Sequence, residues 1–359
     1  MKVLVASGSS GGHIFPSLAF IDELRQRDRG IEALLILSRR ASKNSIEDGG
    51  CRVRLLPVYP MTLAPSLKNL CAAVNFLKSC FASLYILAEF RPDYVVGFGT
   101  LDTLPIVFFA WFFRIKTLIH EQNVVPGRAN RVLAKLVDKV AISFVETKKY
   151  LKIDPRKIVL TGNPLRRRLK RIERQEALGF FGFSEDKFTL LVMGGSLGSS
   201  SINRCFLGAV SLLPEKSRLQ VIHIAGEADS HFLERGYRDS NIPAKVFSFL
   251  KEMEFAYSCA DLAVCRAGAT TISELIFFRV PAVIIPYPFA HGHQKENSAV
   301  LRRIGAAVAI EESRLSPAAL EDTLGSLMGY TDRLQSVRSH YEAIALPDAA
   351  GLLCQEVMS

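Results

Sequence analysis

The sequence predicts an α/β chain built from two doubly wound, Rossmann-like units. Three observations carry this. Short apolar runs alternate with stretches of helix length along the 359 residues, and a β-α-β-α order calls for parallel sheets with right-handed crossovers. The runs are continuous rather than alternating, as strands buried on both faces require. A strand, a glycine-rich turn and a helix follow one another near the start and again near the middle, which points to one architecture used twice.

In the first half, residues 3–6, 34–37, 94–96, 117–119 and 140–142 read as strands. In the second, residues 190–193, 221–224, 262–264 and 283–285 do. Residues 66–90 read as one long, largely apolar helix, interrupted by Lys68, Lys78 and Glu89. After Glu311, Leu315, Leu320, Leu324, Leu327, Leu334 and Val337 recur at helical spacing, and residues 349–357 form a last short helix. The break between the units is expected within 161–174, after Asn163-Pro164.

Hydrophobic residues make up 49% and charged residues 22%, which excludes a disordered or collagen-like chain. Lys and Arg exceed Asp and Glu by 45 − 35 = 10, so anionic partners are expected. Residues 148–174 hold eleven Lys or Arg against two acidic residues; they read either as a solvated connector or as a positive wall toward a phosphate ligand or acidic membrane. Seven cysteines without a C-x-x-C pair, and an N-terminus without signal-peptide features, predict a reducing cytosol with cysteines as small buried hydrophobes.

Candidate chemistry follows the strands. The turns Ser7-Gly8-Ser9-Ser10-Gly11-Gly12 and Gly194-Gly195-Ser196-Leu197-Gly198 can present backbone N–H groups and a helix N-terminus to a diphosphate; the alternative is a tight turn that binds nothing. His13, at the mouth of the first helix, suits a general base because a helix N-terminus disfavours imidazolium; otherwise it holds the turn. In Arg266-Ala-Gly-Ala-Thr270-Thr271-Ile272-Ser273-Glu274, Glu274 lies one helical turn beyond Thr270, within reach of a ribose diol if a phosphate sits at the helix end. Gln294 and Asn297 are candidates to hydrogen-bond a ligand. His291 and His293 lack further ligand-type neighbours, so no metal site is expected. His120-Glu121-Gln122-Asn123 ends a strand, where ligands meet open α/β sheets. The apolar stretch 104–113, with Trp111, Phe112 and Phe113 beside Arg114 and Lys116, is read as an interfacial docking patch or as core; neither it nor 66–90 supplies an uninterrupted membrane span.

Taken in order, these segments resemble the MurG family of peripheral membrane glycosyltransferases. They are Gly8 to Pro16, His120 to Asn123, Thr161 to Arg166, Gly194 to Gly198, Arg266 to Glu274 and His293 to Asn297. The resemblance implies a GT-B fold: two Rossmann-like domains facing across a cleft. Residues 1–163 would meet acceptor and membrane, and 164–344 would hold the UDP-sugar. A C-terminal helix at about 345–359 would pack back on the first domain. It implies transfer of N-acetylglucosamine from UDP-GlcNAc, with inversion, to the lipid I acceptor, giving lipid II in peptidoglycan synthesis. No cofactor and no metal are implied. By the same resemblance Arg166, Ser196, the backbone near Leu250 and Met253, Ala269, Thr270, Thr271, Ile272, Ser273, Glu274 and Gln294 would line the donor site. Ser10, Gly11, Gly12 and Asn123 would meet the donor or acceptor from the first domain, while His13 is the first candidate for the base from its place at the mouth of the first helix rather than from the resemblance. Leu197 replaces a glutamine usual in the family, and Gly97 to Pro105 departs from its Gly-Gly-Tyr pattern. Expected partners are UDP-GlcNAc, lipid I, the anionic cytoplasmic face of the inner membrane and other wall-synthesis proteins, without nucleic acid. Two rival readings are a UDP-GlcNAc epimerase of the same fold and a non-catalytic UDP-sugar-binding scaffold at the membrane.

Overall fold

The computed structural model describes residues 1–38, 51–56, 67–195, 198–290, 292–328, 337–344 and 348–359, with the backbone alone at 67–73 and 343. The chain forms two compact units, Met1–Arg167 with Pro347–Ser359, and Arg168–Leu346.

The first unit is a parallel sheet of β1 (Lys2–Ser7), β2 (Glu32–Ser38), β3 (Arg52–Leu56), β4 (Tyr94–Gly97), β5 (Lys116–Glu121), β6 (Lys139–Ile142) and β7 (Ile158–Leu160), in the order β3-β2-β1-β4-β5-β6-β7. The second is a parallel sheet of β8 (Phe188–Met193), β9 (Leu219–Ile224), β10 (Ala244–Phe247), β11 (Leu262–Cys265), β12 (Ala282–Ile284) and β13 (Ala307–Ala309), in the order β10-β9-β8-β11-β12-β13. Both follow one plan: the third, second and first strands, then the fourth onward. The repeated architecture expected from the two glycine-rich turns is present.

The nine strands read from apolar runs are the interior strands of both sheets. The four not foreseen, β3, β7, β10 and β13, are the four edges. Their burial is partial, and β3 reads Arg-Val-Arg-Leu-Leu. An edge strand need not be apolar on every residue, so the signal that marks an interior strand is missing.

Alternation within the runs sorts side chains onto two faces. Val3 and Val5 pack with Ile14, Phe20, Ile21 and Leu24 of α1 (Gly11–Arg27). Leu4 and Ala6 pack on the other side with Ile86, Leu87 and Phe90 of α2 (Leu67–Phe90) and Ile106, Val107 and Ala110 of α3 (Leu104–Phe112). Leu353, Cys354 and Val357 of the C-terminal helix Ala349–Met358 join the α1 side. Lys139 Nζ lies 3.1 Å from Glu356, and Arg27 lies 3.6 Å from Asp348. In the second unit Leu190, Val192, Val221 and Val264 centre a core closed by α6 (Ser200–Leu212) and α11 (Pro317–Met328).

The outer faces of α2 and α3 stay exposed. Phe81 and Tyr85 on α2, and Phe112 and Phe113 at the end of α3, are more than half exposed. Trp111 is half-buried against Phe108. Among the described residues no helix is long and apolar enough to cross a membrane. Six cysteines, Cys51, Cys80, Cys205, Cys259, Cys265 and Cys354, are free thiols.

The basic connector is partly committed to local structure. Arg171 donates to Phe277 O, Arg174 to Cys259 O and Asp261, Lys157 to Val137 O, and Arg156 to Asp154. These cations are therefore not a uniform field toward solvent.

Candidate functional site

In an open parallel sheet a crevice forms at the strand C-termini where the winding reverses. Here the reversals lie between β1 and β4 and between β8 and β11. The chemistry-bearing loops follow those strands.

In the first unit, Gly8 passes so close to Thr100 that a Cβ there would collide with the threonine methyl. Ser10 is the N-cap of α1, and the His13 and Ile14 N–H groups donate to its carbonyl at 3.0 Å. This places His13 beside the loops after β4 and β5. His13 Nδ1 donates to Phe98 O at 2.7 Å and to Gln122 Oε1 at 2.9 Å. Gln122 Nε2 donates to His120 Nδ1 at 3.0 Å, and His120 Nε2 donates to Gly162 O at 2.9 Å. Burial lowers the His13 pKa despite the opposing influences of Glu121, the Phe98 carbonyl, Gln122 and Asp102. Burial also pushes His120 down to about 4. Both rings are neutral near pH 7, as a base requires of His13.

Glu121 is buried and receives the Asn123 N–H at 2.9 Å, Asn123 Nδ2 at 3.2 Å, Gly127 N–H at 3.0 Å and Asn130 Nδ2 at 2.8 Å. The Asn123 amide is thus turned onto Glu121, shaping the loop after β5. Arg166 stacks on Phe15 with its guanidinium carbon 4.4 Å from the ring centroid, so it belongs with the first unit. Thr100 has φ +73° and ψ 159°, a conformation otherwise almost confined to glycine.

In the second unit, Gly194, Gly195 and Gly198 make the turn into α6, whose N-cap is Ser199. A Cβ at Gly194 would strike the Ser199 backbone and one at Gly198 the Ala225 carbonyl, and Gly195 and Gly198 have φ of +96° and +76°. Glycine is needed for the turn itself. Ser196, with Leu197, lies outside the described residues, as does His291.

Arg266 pins this turn. Its side chain is 9% exposed and is paired to both oxygens of Glu312. It also donates to Ser199 Oγ at 2.8 Å, Ser201 Oγ at 3.2 Å and Ile285 O at 3.2 Å. Gly268 caps α9 (Ala269–Phe278). Ala269, Thr270 and Thr271 form its first turn, the position that offers N–H groups to an anion.

The neighbouring residues sort differently from their place in the sequence. Ile272 is fully buried and its N–H donates to Gly268 O, while Ser273 Oγ donates to Ala269 O. Glu274 is buried, and Tyr257 OH donates to its Oε2 at 2.7 Å. Gln294 Oε1 receives the Ala267 N–H at 3.1 Å and the Tyr287 N–H at 2.8 Å. Asn297 is fully buried and donates to Ala267 O at 3.0 Å. Gln294 and Asn297 therefore clamp the loops after β11 and β12. Leu250 and Met253 are buried at the start of α8 (Met253–Cys259).

Arg266, Glu312 and Tyr257 were not foreseen as site-building residues. The first two lie 46 positions apart, and no local pattern joins them.

The profile of the glycosyltransferase family 28 N-terminal domain matches residues 3–142, and that of the family 28 C-terminal domain matches residues 189–350. A relative from Syntrophus aciditrophicus is 36% identical over 342 residues, covering 94% of this chain and 93% of its own. Its name is UDP-N-acetylglucosamine–N-acetylmuramyl-(pentapeptide) pyrophosphoryl-undecaprenol N-acetylglucosamine transferase. The crystal structure of Acinetobacter baumannii MurG superimposes with a TM-score of 0.79 at 27% identity, covering 99% of each chain. The chain belongs to the MurG family of glycosyltransferases. Membership makes the fold GT-B and the protein a hexosyltransferase. A UDP-GlcNAc 2-epimerase from Neisseria meningitidis, bound to UDP-GlcNAc, superimposes with a TM-score of 0.70 over the full length of both chains at 16% identity. That likeness is one of fold alone.

Proposed function

We propose that this chain transfers N-acetylglucosamine from UDP-GlcNAc to the C4 hydroxyl of undecaprenyl-pyrophosphoryl-MurNAc-pentapeptide, converting lipid I to lipid II with inversion. The observation that carries the reading is the 36% identity across 94% of the chain to a relative named for that transfer. The muramyl C4 oxygen bonds to the anomeric carbon as the bond to the UDP oxygen breaks. The hydroxyl proton passes to His13 Nε2 and then to solvent.

The second unit holds the donor in this reading. The α9 start at Ala269–Thr271 and the Gly194–Gly198 turn, with Ser196, receive the diphosphate, where N–H dipoles stabilise the charge that builds on UDP. Glu274, held by Tyr257, takes the ribose, and Gln294 keeps the surrounding loops in place. Ser10, Gly11, Gly12 and Asn123 meet the donor or acceptor from the first unit, and Arg166 adds positive charge at the donor.

The first unit also adsorbs to the cytoplasmic face of the inner membrane in this reading. Phe81, Tyr85, Phe112 and Phe113 present an apolar face flanked by exposed Lys78, Arg114 and Lys116, the combination an anionic bilayer attracts. Co-sedimentation should show binding to anionic vesicles that neutral vesicles do not match; no binding to either removes the membrane step.

UDP release measured with and without a lipid-linked acceptor tests the reaction. Acceptor-dependent release supports transfer. Acceptor-independent epimerisation, or UDP-GlcNAc binding without turnover, overturns it. His13→Ala should lower turnover by ~10²–10⁴ with donor binding retained. Glu274→Ala should mainly raise the donor KM, since ribose contacts are shared by ground and transition states.

A further inference from the structure

We propose that Gln122, backed by His120, is a positioning residue that fixes His13 as the Nδ1–H tautomer and so keeps Nε2 as the proton-accepting nitrogen. The inference rests on the base role proposed above and identifies what sets that base.

The protons in this network follow from groups that can only accept. Phe98 O lies 2.7 Å from His13 Nδ1. A peptide carbonyl has no proton to give, so Nδ1 carries one. Gly162 O lies 2.9 Å from His120 Nε2, so the His120 proton is on Nε2 and its Nδ1 is an acceptor. Gln122 Nε2 faces that acceptor at 3.0 Å, His120 O at 3.2 Å and Phe98 O at 3.3 Å. Reversing the amide would set its oxygen against two carbonyl oxygens and its NH₂ against the His13 Nδ1–H. The amide therefore has one allowed orientation, with Oε1 turned to His13 at 2.9 Å. The relay runs from His13 through Gln122 and His120 to Gly162, and every described hydrogen bond of the His13 ring is made at Nδ1.

The remaining ring edge lies between two loops. A Cβ built on Gly8 would lie 3.2 Å from His13 Cδ2, and one on Gly99 would lie 3.5 Å from Cε1. Nε2, between those two carbons, thus sits between the loops after β1 and β4, where the sheet's winding reverses. Imidazole in water prefers its proton on Nε2, which would be useless for accepting the hydroxyl proton. Phe98 O and Gln122 Oε1 together give Nδ1–H two acceptors, so Gln122 adds to the preference for this tautomer and to the hold on the ring.

The acceptors facing Nδ1 are both neutral. That is compatible with a base whose pKa lies below the ordinary histidine value, and a carboxylate there would raise it. The charged and titratable groups bearing on His13 are Glu121 and Asp102, with His120 behind Gln122.

The test uses the full chain, labelled with ¹⁵N. Long-range ¹H–¹⁵N spectra above the His13 titration should show a protonated Nδ1 and an imine-type Nε2, the resonances being assigned by their loss in His13→Gln. Gln122→Met should let the Nε2–H tautomer appear and lower kcat ~10-fold or more, within the ~10²–10⁴ that loss of a base costs, with donor KM unchanged. Gln122→Glu keeps an acceptor for Nδ1–H but adds charge. It should retain the tautomer and move the acid limb of the kcat/KM profile to higher pH, while the tautomer change in Gln122→Met is the readout that a merely structural role would not move. A wild-type ring protonated at Nε2 refutes the inference, as does a Gln122→Met ring that stays wholly in the Nδ1–H form with kcat unchanged, or a Gln122→Glu profile with an unmoved limb. Because the spectrum reads the tautomer without turnover, a His13→Ala enzyme of near-normal kcat refutes the base role separately. Should Gln122→Met not fold, the wild-type spectrum and Gln122→Glu still decide.

Discussion

Replacing Thr100 by glycine should stabilise the first unit. Thr100 has φ +73° and ψ 159°, in a region essentially reserved for glycine, where another residue costs ~1–3 kcal/mol. A β-branched side chain is among the least suited to positive φ. Its Oγ1 is buried with no hydrogen-bond partner, which adds about 1 kcal/mol to be recovered. Against this stand the burial of two carbons, Cβ and Cγ2, up to about 0.8 kcal/mol each, and the greater freedom of glycine in the unfolded chain, about 0.5–1 kcal/mol. The balance favours Thr100→Gly by about 1 kcal/mol. For a unit of this size that corresponds to a Tm rise of roughly 2–4 °C. Scanning calorimetry of the full chain measures it, with Thr100→Ala as the control. Alanine removes the hydroxyl but keeps the Cβ that causes the strain, so it should melt below the glycine variant. A Thr100→Gly protein that melts below wild type, or no higher than Thr100→Ala, would show that this backbone is not strained. The loop following β4 lies against Gly8 and His13, so any turnover lost with the stability gained would locate the strain's use at the site.

Three further outcomes are expected. Tyr257→Phe removes the donor to buried Glu274 and should cost about 1.5–3 kcal/mol of stability and raise donor KM with kcat little changed; an unaltered KM would detach Glu274 from the donor. Arg266→Ala leaves Glu312 and the Ile285 carbonyl without their guanidinium and should cost about 3–5 kcal/mol in urea unfolding, together with weaker UDP binding. A loss under 1 kcal/mol would mean the pair behaves as a surface one. Acid should weaken the fold before most carboxylates protonate. Burial lowers His120 to about 4 and His223 to about 3, so the unfolded chain takes up these protons first, from about pH 6.5. Their stability contribution is complete above that pH and declines as pH falls toward the folded values. Each histidine should cost about 2 kcal/mol between pH 7.5 and 5, and a flat unfolding free energy over that range would contradict their neutral burial.

The parts of this molecule legible in the sequence are those whose signal is local. Val3 to Ala6 must be apolar at every position because alternate residues feed two separate cores, and the same holds for the other interior strands. Arg52 to Leu56 needs only one neighbour, β2, and its arginines leave no such trace. Likewise the glycine-rich turns, His13, and the run from Arg266 to Glu274 are visible because a strand, a turn and a helix follow in order. What a side chain does within such a run is not. Ile272, Ser273 and Glu274 are adjacent, yet one fills the core, one bonds back into its own helix and one receives a tyrosine hydroxyl. Helical geometry turns each successive side chain by about 100°, so proximity in a motif says little about direction.

The same reasoning separates holding from reacting in the two crevices. His13 meets Gln122 across 109 positions, Tyr257 meets Glu274 across 17, and Arg266 meets Glu312 across 46. In each pair one member lies in a recognisable motif next to a strand end, and its partner supplies orientation from another element. Glu274 and Arg266 are buried charges that would be costly without those partners, and His13 is a ring whose reactive nitrogen is undefined without its own. A substitution at Tyr257, Glu312 or Gln122 should therefore impair the site without removing any group that touches the reacting atoms. Conversely, grafting the motifs alone onto another doubly wound sheet should reproduce the turns without the chemistry.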